Sequence, residues 1–420
     1  MDTMKGVVFP GQKQVQIQEF PVPIPGPNEV LIQMKASAIC RSDMSIYYGN
    51  PVVGGDAAAT RTIIPGHEPA GLVVQTGEGV ASIREGDRVA VYLALGCGEC
   101  VHCKSGYMMF CTSWKCVGFD VHGGDAEYMV VPEKNCMKIP DSMSYVAAAV
   151  STDAVGTLYH AQKRLHISGK DTLVVFGLGP MGGAGILVAK ALGATVIAVD
   201  MIEERLKLAK EELGADFTIN GKTEDVVSRI RELTGNRGAD AAIDCSGSTI
   251  AENQALDCVR PHGRVAFVGE CRESTIRPSE QLIRKQITVM GSWYFPIQEF
   301  EEICEFIVRK NVDVEKLVTH KFPLEQAELA FQMFDERKTE KSRLCLVIFR
   351  LLLEVQAMKG ISFNTWVYSS FPSWLPSYPL EEVVKRLSGM GYDGIEIAAP
   401  VRMLGPIIYP RNGEARLRRC

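Results

Sequence analysis

The chain lacks the features that would place it in several large functional classes. No run of apolar residues approaches the roughly 18 needed to cross a bilayer as a helix. The first residues, MDTMKGVVFPGQKQ, have neither the apolar stretch nor the small-residue cleavage site of an export signal, so the cytoplasm is the expected location. There is no excess of positive charge. With 45 Lys and Arg against 50 Asp and Glu the net charge is -5, which gives nucleic acid no basic surface to bind. No internal repeat and no low-complexity segment interrupts the sequence. A composition of 46% hydrophobic and 23% charged residues is that of a folded globular protein, and 420 residues suggest two domains with an appendage.

Cysteine is the exception to this scarcity. The chain has 13, four of them within fifteen residues and the others scattered singly. In a protein with no sign of export, the crowded four point to metal rather than to disulfides. The segment GCGECVHCKSGYMMFC holds Cys97, Cys100, Cys103 and Cys111. Four thiolates on one short lobe close a tetrahedron around zinc and leave no open position, which makes the site structural. Two local disulfides are the alternative. His102 lies between the ligands but adds nothing to a complete set, and reads as a solvated side chain.

The rhythm of the chain changes twice. Up to about residue 150, short strands (Val30–Ala36, Ala70–Thr76, Asp87–Tyr92, Ala126–Val131) are broken by turn signals such as PIPGPNE and REGD, as in an irregular, mostly β domain. From Asp153 to Ser292, apolar runs at Thr172–Phe176, Thr195–Val199, Ala241–Asp244, Arg264–Val268 and Thr288–Gly291 alternate with helical stretches. That alternation predicts an α/β domain with a doubly wound parallel sheet. A helix at Gln298–Lys310, another at Leu324–Asp335 and a strand at Leu344–Phe349 return the chain to the first domain. The predicted division is therefore 1–152 with 298–349, 153–297, and a remainder, 350–420.

Within the second domain, Gly177-Leu178-Gly179-Pro180-Met181-Gly182 follows a strand and opens a helix. The glycines allow a tight turn and close approach of a pyrophosphate, with the phosphate at the helix N-terminus. Asp200 ends the next strand, where its carboxylate can accept from ribose hydroxyls and repel a 2′-phosphate, favouring NAD over NADP. Arg205, a helical turn further on, either softens that preference or lies on a solvated helix face. A tight turn without function is the alternative for the glycine motif taken alone.

A second metal set is spread along the chain. Cys40 lies in ICRSD, His67 and Glu68 in PGHE, and Asp153 in STDAVGTLY. Cys40, His67 and Asp153 supply three ligands and leave a fourth position for water or substrate, the arrangement of catalytic zinc. Such an open ion can polarise an alcohol oxygen. Asp43 is placed to orient the His67 imidazole from behind. For Asp153 a helix cap is the competing role. Trp293, Tyr294 and Tyr47 are candidates for lining a pocket, for a subunit contact, or for plain core packing.

With these residues in place, the chain resembles the medium-chain, zinc-containing alcohol and polyol dehydrogenases over about residues 4–349. The resemblance rests on CRSD, PGHE, the four-cysteine lobe, GGDAEY (Gly123–Tyr128), GLGPMG and the closing KSRLCLVIF. It implies a GroES-like catalytic domain beside a Rossmann domain, catalytic zinc on Cys40, His67 and Asp153, structural zinc on the lobe, and NAD. It also implies that Ser42 takes the substrate proton and that Glu68 is an acidic neighbour able to visit the metal. Two positions depart from the family pattern. Ser45 stands where many relatives place a histidine that passes the proton to solvent, and Asp153 stands where Cys or Glu is common. The implied reaction oxidises a secondary alcohol or polyol (sorbitol-, threonine- or inositol-like) to a ketone, in a homodimer or homotetramer. A zinc-free quinone reductase of the same architecture and a non-catalytic NAD-binding sensor with structural zinc are the alternatives. From Met358 to about Pro400 the pattern KGISFNTWVY…LEEVVKRLSGMGYDGIEI resembles the opening βαβ stretch of sugar isomerases and epimerases. A full barrel of that type needs about 250 residues. The expectation is therefore an inert, incomplete βαβ fragment, the trace of a neighbouring reading frame fused by a lost stop.

Overall fold

In this computed structural model the described residues are 2–49 and 62–336, with the backbone of strands at 344–348, 362–364, 394–396, 407–408 and 416–417. Residues 1–350 form one compact unit and residues 351–420 a second.

The first unit opens with a hairpin, β1 (Thr3–Gly11) and β2 (Gln14–Pro21), paired antiparallel. Then comes the long strand β3 (Glu29–Ile39), followed by β4 (Glu68–Thr76), β5 (Arg88–Val91), the two-residue strands β6 (Ala94–Leu95) and β7 (Lys115–Cys116), β8 (Tyr128–Pro132) and β9 (Cys136–Lys138). Strand β3 organises this part. It pairs antiparallel with β4 along its length and with β8 over Glu29–Gln33. This is the mostly β domain expected from the turn spacing.

The second sheet has six parallel strands: β10 (Thr172–Phe176), β11 (Thr195–Asp200), β12 (Phe217–Asn220), β13 (Ala239–Asp244), β14 (Val259–Phe267) and β15 (Thr288–Gly291). Their order across the sheet is β12-β11-β10-β13-β14-β15, so the chain winds outward both ways from β10. Along β10, Leu173 and Val175 join one apolar cluster, while Val174 and Phe176 join the other. Both faces are thus covered, which is why the strand reads as an unbroken apolar run. The expected doubly wound sheet is present, and β12 is an addition to the strands predicted.

The chain then returns. The helix Glu299–Arg309 leads to β16 (Val318–Phe322), the helix Ala327–Asp335 and β17 (Leu344–Ile348). Strand β17 pairs parallel with β16 and antiparallel with β3, closing a seven-stranded sheet with the first part of the chain. In the second unit, strands Ser362–Asn364 and Gly394–Glu396 pair in parallel. The helix that the βαβ pattern predicts between them, over LEEVVKRLSGM, lies outside the described residues. No helix among the described residues is long and apolar enough to cross a membrane.

Candidate functional site: two cation-binding clusters and a dinucleotide cleft

The register of β3 against β4 pairs Ala38 with Glu68, so Cys40, just past the end of β3, is brought to His67, just before the start of β4. The turn after Cys40 is held by the Asp43 side chain, which accepts from the Cys40 N–H at 2.7 Å through Oδ2. Its other oxygen lies 2.8 Å from His67 Nδ1. Asp43 therefore fixes the imidazole with Nδ1 protonated and the Nε2 lone pair free to face a cation.

Asp153 reaches the same place from a different part of the chain. It lies in a single π-helical turn, Ser151–Val155, inserted before the helix Gly156–Arg164. Asp153 Oδ2 is 3.9 Å from Cys40 Sγ and 3.5 Å from His67 Nε2. Its Oδ1 accepts from the Thr157 hydroxyl at 3.0 Å, while the N-cap position of that helix is Val155 and carries no side-chain cap. The geometry thus gives Asp153 no helix-capping bond. Ligand atoms of Cys40, His67, Glu68 and Asp153 all lie within 4.8 Å of one another.

The chemistry of this set calls for a cation. Glu68 is fully buried, and neither of its carboxylate oxygens has a hydrogen-bond partner. Burial, with Cys40 and Asp153 nearby, pushes its pKa well above the usual carboxylate value. Burial opposes the charged form of His67, but Asp43 and Asp153 outweigh it and raise its pKa well above normal. Three acidic groups and an imidazole around one point are unstable as a bare cluster and suited to a divalent ion. Cys40 and Asp153 are half-buried, whereas His67 and Glu68 are buried, so the cluster opens to one side only. Ser42 Oγ stands 3.8 Å from Cys40 Sγ. The Ser45 hydroxyl donates to the Ser42 carbonyl at 2.7 Å.

Gly66 makes room for His67. It has φ of +92°, and a Cβ there would meet Asp125 Oδ1 at 2.3 Å and Ser37 Oγ at 2.7 Å. Asp125, the acid of GGDAEY, is fully buried with Oδ1 unpartnered. Burial first, and Asp43 second, push its pKa up to about 7. Sequence reasoning read this residue only as part of a motif.

The second cluster is local. Cys97, Cys100, Cys103 and Cys111 converge with all sulfurs within 4.8 Å, and all four are free thiols. Backbone N–H groups of Glu99 and Cys100 donate to Cys97 Sγ at 3.4 Å each, and the Cys103 N–H donates to Cys100 Sγ at 3.5 Å. Such donors favour thiolates over thiols. Cys111 is drawn down to about 6, first by the Cys97 N–H, whereas burial pushes Cys103 up to about 12. A closed set of four sulfurs around one point suits zinc. His102 is exposed, as expected of a bystander.

The glycine loop leaves the carboxyl end of β10, where the sheet order reverses, and runs into the helix Pro180–Ala191. A Cβ on Gly182 would meet the Gly177 carbonyl at 1.9 Å, so the loop closes only with glycine there. A cavity of about 600 Å³ lies over it, lined by Gly177, Gly179, Pro180, Met181, Asp200 and Arg205 among others. Asp200 Oδ2 accepts from the Leu178 N–H at 2.7 Å, and Oδ1 accepts from Met201 and Ile202 at 2.7 and 3.0 Å. Asp200 thus anchors the loop as well as lining the cavity, and Arg205 Nη1 lies 3.4 Å from its Oδ2. Arg41, next to Cys40, also lines this cavity and was not anticipated. Its place beside a metal ligand was the available signal.

The three aromatic candidates separate. Tyr47 is core, edge-on to Phe9 at 5.8 Å and stacked on Phe331 at 6.3 Å. Trp293 lines a different cavity, of about 960 Å³. Tyr294 is buried, with φ of +59° and its hydroxyl oxygen 3.5 Å from the Leu93 N–H.

Residues 26–141 match the family described as alcohol dehydrogenase GroES-like domain, and residues 180–309 match that described as zinc-binding dehydrogenase. An uncharacterised zinc-type alcohol dehydrogenase-like protein of Escherichia coli K12 is 37% identical over 81% of this chain and 98% of its own length. A sorbitol dehydrogenase of Halalkalibacterium halodurans is 32% identical over 76% of this chain and 92% of its own. A solved alcohol dehydrogenase of Escherichia coli CFT073, complexed with NADH, superposes with a TM-score of 0.74 at 28% identity, covering 83% of this chain and all of that one.

Proposed function

The chain belongs to the zinc-binding alcohol dehydrogenases with a GroES-like domain, and from that premise we propose that Cys40, His67 and Asp153 hold its catalytic zinc and Cys97, Cys100, Cys103 and Cys111 its structural zinc. It is a zinc-dependent oxidoreductase that moves hydride between an alcohol or polyol and NAD. The division of labour follows residues 1–152 with 298–349 for the metal ligands other than Asp153, and 153–297 for the dinucleotide, with Asp153 contributed to the metal site from the boundary. The observation that carries the catalytic assignment is the convergence of Cys40, His67, Glu68 and Asp153, with both oxygens of buried Glu68 unpartnered.

Bound zinc supplies Lewis acidity to the alcohol oxygen, and bound NAD accepts the hydride. The rest falls to this chain's own side chains. Asp43 holds His67 in the tautomer that offers Nε2 to the metal. Ser42, beside Cys40, takes the proton of the substrate hydroxyl, and the Ser45 hydroxyl, bonded to the Ser42 carbonyl, steadies that turn. Ser45 stands where many relatives place the histidine of the outer relay and its hydroxyl donates to the Ser42 carbonyl, so water or a neighbouring side chain is proposed to carry the proton onward. Glu68, buried with both carboxylate oxygens unpartnered, would offer a further carboxylate to an ion held by the neighbouring ligands. Gly177 to Gly182 and Asp200 would seat the dinucleotide, with the Asp200 carboxylate available to ribose hydroxyls and disfavouring a 2′-phosphate. Arg205 lies against Asp200 and helps hold that carboxylate in place.

The substrate proposed is a secondary alcohol or polyol, supported by the sorbitol dehydrogenase among the relatives. A homodimer or homotetramer is proposed on the family resemblance alone. The segment 351–420 is given no part in the reaction. The test is NADH absorbance with zinc-loaded protein and a panel of secondary alcohols and polyols, alongside metal content. Two zincs per chain with turnover of a polyol is the expected result. Two zincs and bound NAD without turnover on any alcohol would favour a sensor, and absence of zinc would favour a quinone reductase.

A further inference from the structure

Arg41 lines the dinucleotide cavity with Gly177, Gly179 and Met181, and it forms no ion pair among the described residues. An acid nevertheless stands within its electrostatic reach: Asp335, the last residue of the helix Ala327–Asp335. Asp335 is engaged elsewhere. Lys13, from the β1–β2 turn, lies 2.9 Å from its Oδ2, and the Tyr48 hydroxyl donates to its Oδ1. Burial opposes its charge, but Tyr48 and Lys13 hold its pKa below the usual value, so it stays ionised. The Tyr48 ring meets both cations, with Lys13 Nζ at 5.0 Å and Arg41 Cζ at 5.9 Å from its centroid.

We propose that Tyr48 is a positioning residue for the cofactor: its hydroxyl, with Lys13, keeps Asp335 off Arg41, and its ring carries the guanidinium, so that the Arg41 charge is reserved for the pyrophosphate of NAD. This rests on the dinucleotide reading of the cleft. The glycine loop cannot meet the pyrophosphate with all its amides, because the Leu178 N–H is already given to Asp200. A full cation therefore matters more here than at a loop with every donor free. Three segments far apart in sequence converge on the arrangement: the β1–β2 turn, the short helix Asp43–Tyr47 with Tyr48 at its C-cap, and the returning helix Ala327–Asp335.

Without the Tyr48 hydroxyl, Asp335 loses an acceptor bond and is free to pair with Arg41, which would quench it. The experiment is NADH fluorescence titration with competition by ADP-ribose, which carries a pyrophosphate, and by adenosine, which does not. Tyr48→Phe, checked for two bound zincs, is expected to weaken ADP-ribose about tenfold, the scale of one charge-assisted hydrogen bond, and to leave adenosine as in the wild type. Adding Asp335→Asn to Tyr48→Phe removes the competitor and should bring ADP-ribose back to within about twofold of wild type. Equal losses for both competitors, no loss at all, or no recovery in the double variant would overturn the proposal. Failure of the wild-type protein to bind NADH would instead overturn the dinucleotide reading, and this inference with it.

Discussion

Asp125→Asn isolates the ionisation of a buried acid behind the proposed catalytic metal. Asp125 has Oδ1 unpartnered, and burial raises its pKa from the ordinary 3.8 to about 7. A raised folded-state pKa means that the native protein binds this proton more tightly than the unfolded chain does. Its contribution is complete below the unfolded value and is lost as pH rises toward the folded one. Taken over the interval from 3.8 to about 7, the loss is about 4 kcal/mol, at about 1.4 kcal/mol per pH unit. Asparagine has nearly the same shape and cannot ionise, so its stability has no such slope. The assay is denaturant unfolding of both proteins, zinc-loaded, from pH 4.5 to pH 8. The stability of Asp125→Asn minus that of wild type should climb by a few kcal/mol up to about pH 7 and then level off. A constant offset reports a changed hydrogen bond and is not the readout. Parallel curves across the whole range would refute the assignment of Asp125 as a buried acid with a raised pKa.

Two further substitutions probe the scaffold of the metal sites. Gly66→Ala places a Cβ at φ of +92° against Asp125 Oδ1 and Ser37 Oγ. The left-handed backbone costs about 1–2 kcal/mol and the overpacking about 1–3, so thermal unfolding should show a loss of about 2–5 kcal/mol, and an unchanged melting temperature would contradict the contact. Cys103→Ser removes one member of the closed sulfur set. Zinc content should fall from two to one per chain with a lower melting temperature, and two zincs retained with unchanged unfolding would exclude this lobe as a zinc site.

How much of this was legible beforehand depended on whether the information was local. The four-cysteine lobe and the glycine loop are short, continuous pieces whose geometry follows from spacing. The β1–β2 hairpin was missed because its turn uses Gln12 and Lys13 at φ of +53° and +62°, where asparagine or glycine would have given a signal. Strand β12 escaped because it has four residues, of which only Ile219 is fully buried. For Asp153 the sequence left ligand and cap both open. A π-turn widens the backbone by one residue and turns the carboxylate toward Cys40 and His67, and no periodicity announces it. Arg41 and its neighbours Tyr48, Lys13 and Asp335 come together only through the return of the chain to its first sheet. That is long-range topology, which motif spacing does not carry.

Asp153 is the ligand on which the proposed catalytic centre depends most directly. Zinc per chain and NAD reduction with a polyol that wild type oxidises, measured together on wild type and Asp153→Ala, decide it. The prediction is two zincs and turnover for wild type, and one zinc and no turnover for the variant. A variant that keeps both zincs and its activity would contradict the proposed catalytic centre.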